Sequence, residues 1–223
     1  MTNKTALLDG GNGGNGGLGN QAYEALLDLI IARELKQGEQ IQERALAIRL
    51  GISRTPLREA MHRLEGEKIL ERKSNNRLFV RMVTLEEILE ILHVRRLLET
   101  EAAARSAGKI PLNKLALLKV RLEKLRQAGD PSSYEHQIVD AELHGLIVHY
   151  CENKLLAEMI DELRRKTRMF SLKRVDKRMM PVLNEHMAII AALEKGDAEQ
   201  AALEVSHHID NIRISIIEKY TSL

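Results

Sequence analysis

The second part of the chain, Thr84 to Leu223, is built entirely from segments whose apolar residues recur at helical spacing. Thr84 followed by Glu87 forms a capping-box pair, which opens a long helix. The predicted helices cover residues 84–107, 111–129, 133–150, 153–175, 179–195 and 197–221. Because this part of the sequence has no strand signal, the chain is predicted to be mainly α, with a C-terminal all-helical bundle of about six helices.

Residues 20–82 have a different organisation. Helical spacing predicts three shorter helices, and two short apolar runs separated by a polar turn predict a hairpin. The predicted helices cover residues 20–35, 42–50 and 53–66, and the predicted strands cover residues 69–72 and 78–81. The order helix, helix, turn, helix, hairpin is that of a winged helix-turn-helix domain.

Residues 1–19 contain seven of the 14 glycines in the chain, and the Gly/Asn run at residues 10–17 has no apolar side chains to bury. This composition predicts a disordered arm. No strand signal precedes the glycines and no Gly-Lys-Ser/Thr follows them, so the segment does not match a phosphate-binding loop. The predicted division is therefore an arm at 1–19, a winged helix-turn-helix domain at 20–82 and an all-helical domain at 84–223.

The composition excludes several classes of protein. The single cysteine, Cys151, excludes an intrachain disulfide framework and a cysteine-based zinc cluster. No apolar run approaches the ~20 residues of a membrane span, and no secretory signal is visible. The aromatic content of 3% argues against stacking platforms for single-stranded nucleic acid. We therefore expect a cytoplasmic protein with no membrane partner.

The charge is divided unevenly between the two predicted domains. Residues 20–82 carry 12 Lys and Arg against 9 Asp and Glu, a net charge of +3, whereas residues 84–223 carry 21 against 22, a net charge of −1. In the third predicted helix, Arg54, Arg58 and His62 form a stripe separate from the apolar one, and arginine suits guanine edges and phosphates. The alternative for this helix alone is a solvated arginine face.

The run Gly-Ile-Ser-Arg-Thr-Pro-Leu-Arg-Glu-Ala at residues 51–60, with residues 38–47 before it, resembles the GntR family of bacterial transcription regulators. The resemblance implies that the second and third helices and the wing tip contact double-stranded DNA. The residues that it places at DNA are Arg44, Ser53, Arg54, Thr55, Arg58, Asn75, Asn76 and Arg77.

Two positions depart from the pattern of that family, which usually has glycine where Lys68 and Leu78 stand. Both departures affect the expected geometry and contacts of the wing more than they affect the recognition helix. For Asn75 and Asn76 the alternative to a DNA contact is a plain turn, because asparagine tolerates left-handed backbone conformations.

Histidine and aspartate lie on otherwise apolar faces of the second domain. Asp140 and His144 are four residues apart and share a helix face, while His186 and the pair His207-His208 lie on two other predicted helices. Imidazole and carboxylate groups from three facing helices form a reasonable site for a divalent transition metal. From spacing alone, hydrogen-bonded core histidines and an ordinary surface pair remain open as alternatives.

Residues 84–223 resemble the FCD ligand-binding domain of the FadR branch of the GntR family, on pieces such as Asp140-x-x-x-His144 and Glu185-His186. Six helices match the shorter, VanR-like subgroup. The resemblance implies a divalent metal, zinc first and nickel or manganese next, and a small organic acid as effector. The implied ligands are Asp140, His144, His186 and His208, the last chosen over His207 by its distance from Gly196-Asp197.

The resemblance places Arg95, on the first helix of the FCD domain, at the effector. The alternative role for Arg95 is an ion pair with Glu99 four residues later. The expected function is a ligand-responsive repressor that binds a palindromic operator as a homodimer. Two alternatives remain open: a metalloenzyme, for which Glu185 is the only adjacent base, or a regulator for which the metal itself is the signal. Glu185 fits a salt bridge or a contact that orients a metal ligand better than it fits a base.

Overall fold

The computed structural model describes residues 16–129, 134–170 and 178–221. The chain divides into two compact units between Met82 and Val83. The first unit holds α1 (Gly16–Ile31), α2 (Glu43–Leu50), α3 (Arg54–Gly66), β1 (Leu70–Arg72) and β2 (Leu78–Val80). In this unit α1 and α2 both pack against α3, and α3 also contacts β1. This is the predicted winged helix-turn-helix arrangement.

The first helix differs from its predicted limits at both ends. It begins at Gly16, so residues 16–19 belong to α1 rather than to the predicted disordered arm. The rest of that arm lies outside the described residues. The helix ends at Ile31 because Arg33 adopts a left-handed backbone conformation with φ of 59°. The glycines of residues 16–19 are tolerated because Tyr23, Leu26 and other residues of the same helix bury their side chains.

The wing contains a third paired segment of backbone that was not predicted. Strands β1 and β2 are antiparallel, with Leu70 opposite Val80, and Gln40 forms an isolated bridge with Phe79 on the other side of β2. The predicted apolar stripe of α3 is confirmed, since Leu57, Ala60, Met61 and Leu64 are all buried. The hairpin therefore packs, through β1, against the core that contains the buried face of α3.

Lys68 stands at the end of α3 in a left-handed conformation, with φ of 57°. Its N–H donates to Glu65 O at 3.0 Å and the N–H of Ile69 donates to Leu64 O at 2.9 Å, which is a Schellman motif. Glycine normally occupies this position because a Cβ costs about 1–2 kcal/mol there. Lysine at position 68 therefore keeps the backbone geometry of the helix end but adds conformational strain to the folded state. Leu78, the other departure, is buried in β2.

The second unit holds α4 (Leu85–Ser106), α5 (Leu112–Ala128), α6 (Tyr134–Tyr150), α7 (Lys154–Phe170), α8 (Met179–Lys195) and α9 (Ala198–Thr221). Within the described residues these are the six helices that were predicted. The N-terminal cap of α4 is confirmed, because Thr84 Oγ1 accepts a hydrogen bond from the N–H of Glu87 at 3.2 Å. Helix α4 is central, since it packs against α6, α7 and α9. The predicted end of α7 at residue 175 lies outside the described residues.

No helix in the described segments of the chain has both the length and the apolar character that crossing a bilayer requires.

Two glycines bring the α4–α5 turn against the α8–α9 turn. The N–H of Gly108 donates to Leu193 O at 3.0 Å, and its φ is +73°. A Cβ at Gly108 would lie 3.2 Å from the Cα of Gly196, a backbone atom that cannot move aside cheaply. We expect Gly108→Ala to lower the free energy of unfolding by about 1–3 kcal/mol, measured by urea denaturation.

Gly145 provides the matched control for this substitution. It lies within α6, and a Cβ there meets open space. Gly145→Ala should raise the free energy of unfolding by roughly 0.5–1 kcal/mol, because alanine loses less conformational freedom in a helix. Equal effects of the two substitutions would contradict the role of the glycine contact.

Candidate metal centre and nucleic-acid interface

The first part of the candidate nucleic-acid interface is the exposed face of α3. Arg54, Thr55, Arg58 and His62 are all exposed on this helix, opposite the stripe that is buried in the core. Arg58 Nε donates to Glu43 Oε1 at 2.9 Å, which links α3 to the first turn of α2. The arrangement gives α3 a basic outer surface at its N-terminal end, where a recognition helix meets base edges.

Two further predicted DNA-contact residues extend this surface. Ser53 is the N-cap residue of α3, and its hydroxyl makes no capping hydrogen bond within the described structure. Arg44 is exposed near the start of α2. Gly51 ends α2 in the left-handed conformation, with φ of 66°, and makes the tight turn that sets α2 against α3. The turn thus places Arg44 and the N-terminus of α3 in one helix-turn-helix.

The wing tip has a defined turn. Asn76 has φ of 60°, its N–H donates to Lys73 O at 2.8 Å, and Asn75 Oδ1 accepts from the N–H of Arg77 at 3.1 Å. Arg72 Nη1 also donates to Asn76 O at 3.2 Å. Asn75 and Asn76 therefore shape the turn, which is the alternative left open by the sequence. Arg77 is exposed at the end of that turn and carries the positive charge of the wing tip.

In the second unit, three helices bring together the four residues predicted to bind a metal. Asp140 and His144 come from α6, His186 from α8 and His208 from α9. Each offers one ligand atom, and these atoms all lie within 4.8 Å of one another. The three imidazoles are 0–2% exposed, and Asp140 Oδ1 lies 3.4 Å from His186 Nε2. His207, the neighbour that was not chosen, is exposed.

Carboxylates behind the cluster orient two of the histidines. His144 Nδ1 lies 2.9 Å from Glu99 Oε2, and His208 Nδ1 lies 2.8 Å from Glu185 Oε2. Because an ionised carboxylate only accepts hydrogen bonds, each Nδ1 carries the proton and each Nε2 keeps its lone pair. Arg178 Nη2 donates to both oxygens of Glu185 at 2.9 Å. Glu185 therefore makes a salt bridge with Arg178 and a hydrogen bond that orients His208. These are the two roles that the sequence favoured over that of a catalytic base.

The protonation states suit a cation. Burial lowers the pKa of His144 to about 4, and the nearby Arg164 guanidinium adds to this effect. Burial also lowers the pKa of His186 and of His208. Burial alone would raise the pKa of Asp140, but Arg164 and the neighbouring groups hold it well below its usual value. At neutral pH the cluster therefore presents three neutral imidazoles and one carboxylate, the forms that bind metals.

Whether these residues fit a metal can be judged from the buried ring nitrogens of the histidines. His144 Nε2 and both ring nitrogens of His186 are buried and make no hydrogen bond within the described residues. Burying such atoms unpaired costs about 1–3 kcal/mol each, so a ligand that engages them is expected. A set of three imidazole nitrogens and one carboxylate oxygen suits Zn²⁺, as well as other first-row divalent ions. The residues fit the predicted metal.

Two arginines lie at the cluster. Arg95 is buried and its Nε donates to Glu99 Oε1 at 2.7 Å, which is the ion pair that the sequence left open as the alternative to effector binding. Arg164 on α7 reaches Glu99 Oε2 with Nη1 at 3.3 Å and Asp140 Oδ2 with Nη2 at 3.0 Å. The sequence did not single out Arg164, because it lies within an ordinary-looking basic stretch.

His136 is a second residue that the sequence analysis missed. It is buried on α6 one turn before Asp140, and its ring stacks on that of His186 with centroids 6.0 Å apart. The spacing of His136, Asp140 and His144, four residues apart in each step, could have indicated a shared face.

Comparison with known proteins identifies both units. The pattern described as "Bacterial regulatory proteins, gntR family" matches residues 18–80, and the FCD domain pattern matches residues 90–211, which is more than half of the chain. The chain belongs to the GntR family, in its FCD-containing FadR-type branch. Its helix-turn-helix therefore implies DNA binding, and its FCD domain implies binding of a small-molecule effector.

Relatives of this GntR-family chain are similar over nearly the whole length. YdhC, an HTH-type transcriptional regulator of Bacillus subtilis, is 29% identical over 196 residues, covering 86% of this chain and 87% of its own. The structure of E. coli McbR/YncC superimposes with a TM-score of 0.79 at 25% identity, covering 91% of this chain and 98% of its own. A putative GntR regulator of Rhodococcus sp. RHA1 shares the fold, with a TM-score of 0.73 at 20% identity over 90% of this chain and 97% of its own.

The family membership decides between the functional classes left open by the sequence. GntR-family proteins and the relatives found are transcriptional regulators rather than enzymes. The prediction of a regulator is therefore confirmed, and the metalloenzyme alternative is wrong. FCD domains often bind a metal, which agrees with the fit of Asp140 and the three histidines.

Proposed function

We propose that this regulator is a repressor that binds a palindromic operator as a homodimer, with one winged domain at each half-site. The exposed basic face of α3 supports this proposal most directly. Residues near the start of a recognition helix contact base edges in the major groove, whereas a wing reaches the backbone or the minor groove. The proposed DNA contacts are Arg44, Ser53, Arg54, Thr55, Arg58, Asn75, Asn76 and Arg77.

The second half of the proposal concerns the sensor. Asp140, His144, His186 and His208 would hold a divalent metal, with Zn²⁺ as the first choice. When bound, such a metal would supply a Lewis-acidic centre that attracts the carboxylate of a small effector. Arg95 would reach the effector by exchanging its hydrogen bond with Glu99. The buried, unpaired nitrogens of His144 and His186 support this assignment.

Effector binding would act by changing which arrangement of the two DNA-binding domains is populated. A ligand shifts such an equilibrium only by its difference in affinity for the two states. The protein would perform this function in the bacterial cytoplasm, where operator DNA is found.

Fluorescence anisotropy with DNA from the promoter region of its own gene tests the proposal. We expect binding that survives excess non-specific competitor DNA and weakens steeply as salt rises, because lysine and arginine contacts to phosphates release counterions. Binding to all sequences alike, or no dependence on salt, would contradict an operator-binding role.

The same assay separates the two candidate signals. Titrations are repeated with chelator-treated protein, with Zn²⁺ alone, and with Zn²⁺ plus small carboxylates. If the carboxylate changes DNA affinity only in the presence of metal, the acid is the signal. If Zn²⁺ alone accounts for the whole change, the metal is the signal and the effector part of the proposal is wrong.

A further inference from the structure

The charged groups at the proposed metal centre balance one another. Three carboxylates lie at the cluster, each within an ion pair to a guanidinium group, and Asp161 and Arg165 on α7 add one further charge of each sign. Glu99 is paired with Arg95 and Arg164, Asp140 with Arg164, and Glu185 with Arg178. The metal-free site therefore carries no net charge from these groups.

A divalent metal disturbs this balance. Its imidazole ligands bind in the neutral form and bring no negative charge, while the charge of Asp140 is already matched by Arg164. The bound ion therefore leaves two positive charges without a counter-charge in a site whose histidines are 0–2% exposed. Uncompensated charge away from water is costly, and an anionic ligand removes that cost.

The position of Arg164 indicates where the anion binds. Asp140 is 25% exposed and Arg164 is 12% exposed, so their side of the cluster lies nearer to solvent than the histidines do. An anion that reaches the metal from that side meets the guanidinium of Arg164. Arginine recognises planar carboxylates through paired N–H donors.

We propose that the effector is a dianion, most simply a dicarboxylate, that binds together with the metal and is recognised by Arg164. This inference rests on the proposed metal site and names the charge class of its effector. Two negative charges restore the neutrality that the metal removes, whereas a monocarboxylate restores half of it. Because binding linkage is reciprocal, the metal tightens the dianion and the dianion tightens the metal to the same degree.

The test uses the whole protein loaded with Zn²⁺ and desalted. Zinc content and the rise in melting temperature with Zn²⁺ alone are measured first, so failure at this step contradicts the proposed metal site itself. Isothermal titration calorimetry then compares each dicarboxylate from malonate to adipate with the monocarboxylate of the same carbon number, for example succinate with butyrate. Inorganic phosphate is added to the series to distinguish a phosphate dianion from a dicarboxylate.

The expected result is that at least one dianion binds zinc-loaded protein about tenfold or more tightly than its matched monoanion, since charges a few ångström apart interact strongly away from water. The preference should disappear in metal-free protein. If the zinc-loaded protein binds monocarboxylates as tightly as dicarboxylates, shows the same preference without zinc, or binds none of these anions, the dianion inference is wrong while the metal site stands.

Substitution of Arg164 provides a separate measurement. Arg164→Gln removes one positive charge from the site, so zinc-loaded variant protein should lose most of the preference for the dianion. Lys154→Gln removes one positive charge from the highly exposed start of the same helix and should leave the preference unchanged. Zinc content and melting temperature of both variants show whether the site has remained intact. If both variants keep an intact site and show the same preference for the dianion, Arg164 takes no part in recognising the effector.

Discussion

Replacing Arg58 with alanine is expected to weaken operator binding by roughly 100-fold, the largest loss expected from a single DNA-binding residue here. The substitution removes a guanidinium that matches guanine edges and phosphates. It also releases Glu43, whose carboxylate now pairs with Arg58 Nε at 2.9 Å and would otherwise face the phosphates unpaired. Because Arg58 is exposed, the core of the first unit is not disturbed. Anisotropy titrations at fixed salt measure the change.

Two further variants show what Arg58 contributes. Arg58→Lys keeps the charge and loses the paired donors, so a large loss in this variant indicates base recognition rather than phosphate attraction. Arg126→Ala removes an exposed arginine from α5, outside the winged helix-turn-helix unit, and should change affinity by less than about twofold. If Arg58→Ala retained affinity as well as Arg126→Ala does, Arg58 would not be a DNA contact.

Much of the fold could be predicted from local pattern. The apolar stripe of α3 and the cap at Thr84 depend on residues no more than seven positions apart, whose relative placement the helix itself determines. The pairing of Gln40 with Phe79 could not be predicted in this way, because nothing local in either segment specifies the other. The helical state of residues 16–19 was also missed, since it depends on the burial of later residues in α1.

The candidate metal centre likewise combines features that follow from local spacing with features that depend on tertiary packing. Asp140 and His144 share a helix face by spacing, and His186 and the pair His207-His208 were recognisable on apolar stretches of two other predicted helices. The family resemblance then selected His208 and joined the four residues into one ligand set. The contact of Glu99 with His144 and that of Arg164 with both carboxylates arise only when α4, α6 and α7 pack together. Residues that orient or neutralise a site are chosen by tertiary packing, so their sequence neighbourhoods carry little signal.

Replacing His208 with glutamine is expected to lower the affinity for Zn²⁺ by more than about 100-fold, because losing even an outer contact of a metal site typically costs 10- to 100-fold. Glutamine retains polarity and approximate volume but offers no imidazole nitrogen. The increase in melting temperature that Zn²⁺ gives the unmodified protein should largely disappear, since that increase depends on the ratio of metal concentration to Kd. Competition with a chromogenic chelator measures the affinity directly.

His207 makes this prediction specific, because it is the adjacent residue of the same type. Consecutive helix positions differ by about 100° in direction, so His207 is exposed while His208 is buried and held by Glu185. His207→Gln should therefore bind Zn²⁺ as the unmodified protein does. A general destabilisation of α9 would lower the melting temperature of metal-free His208→Gln without changing its chelator competition. If both variants bound Zn²⁺ as tightly as the unmodified protein does, His208 would not be a ligand.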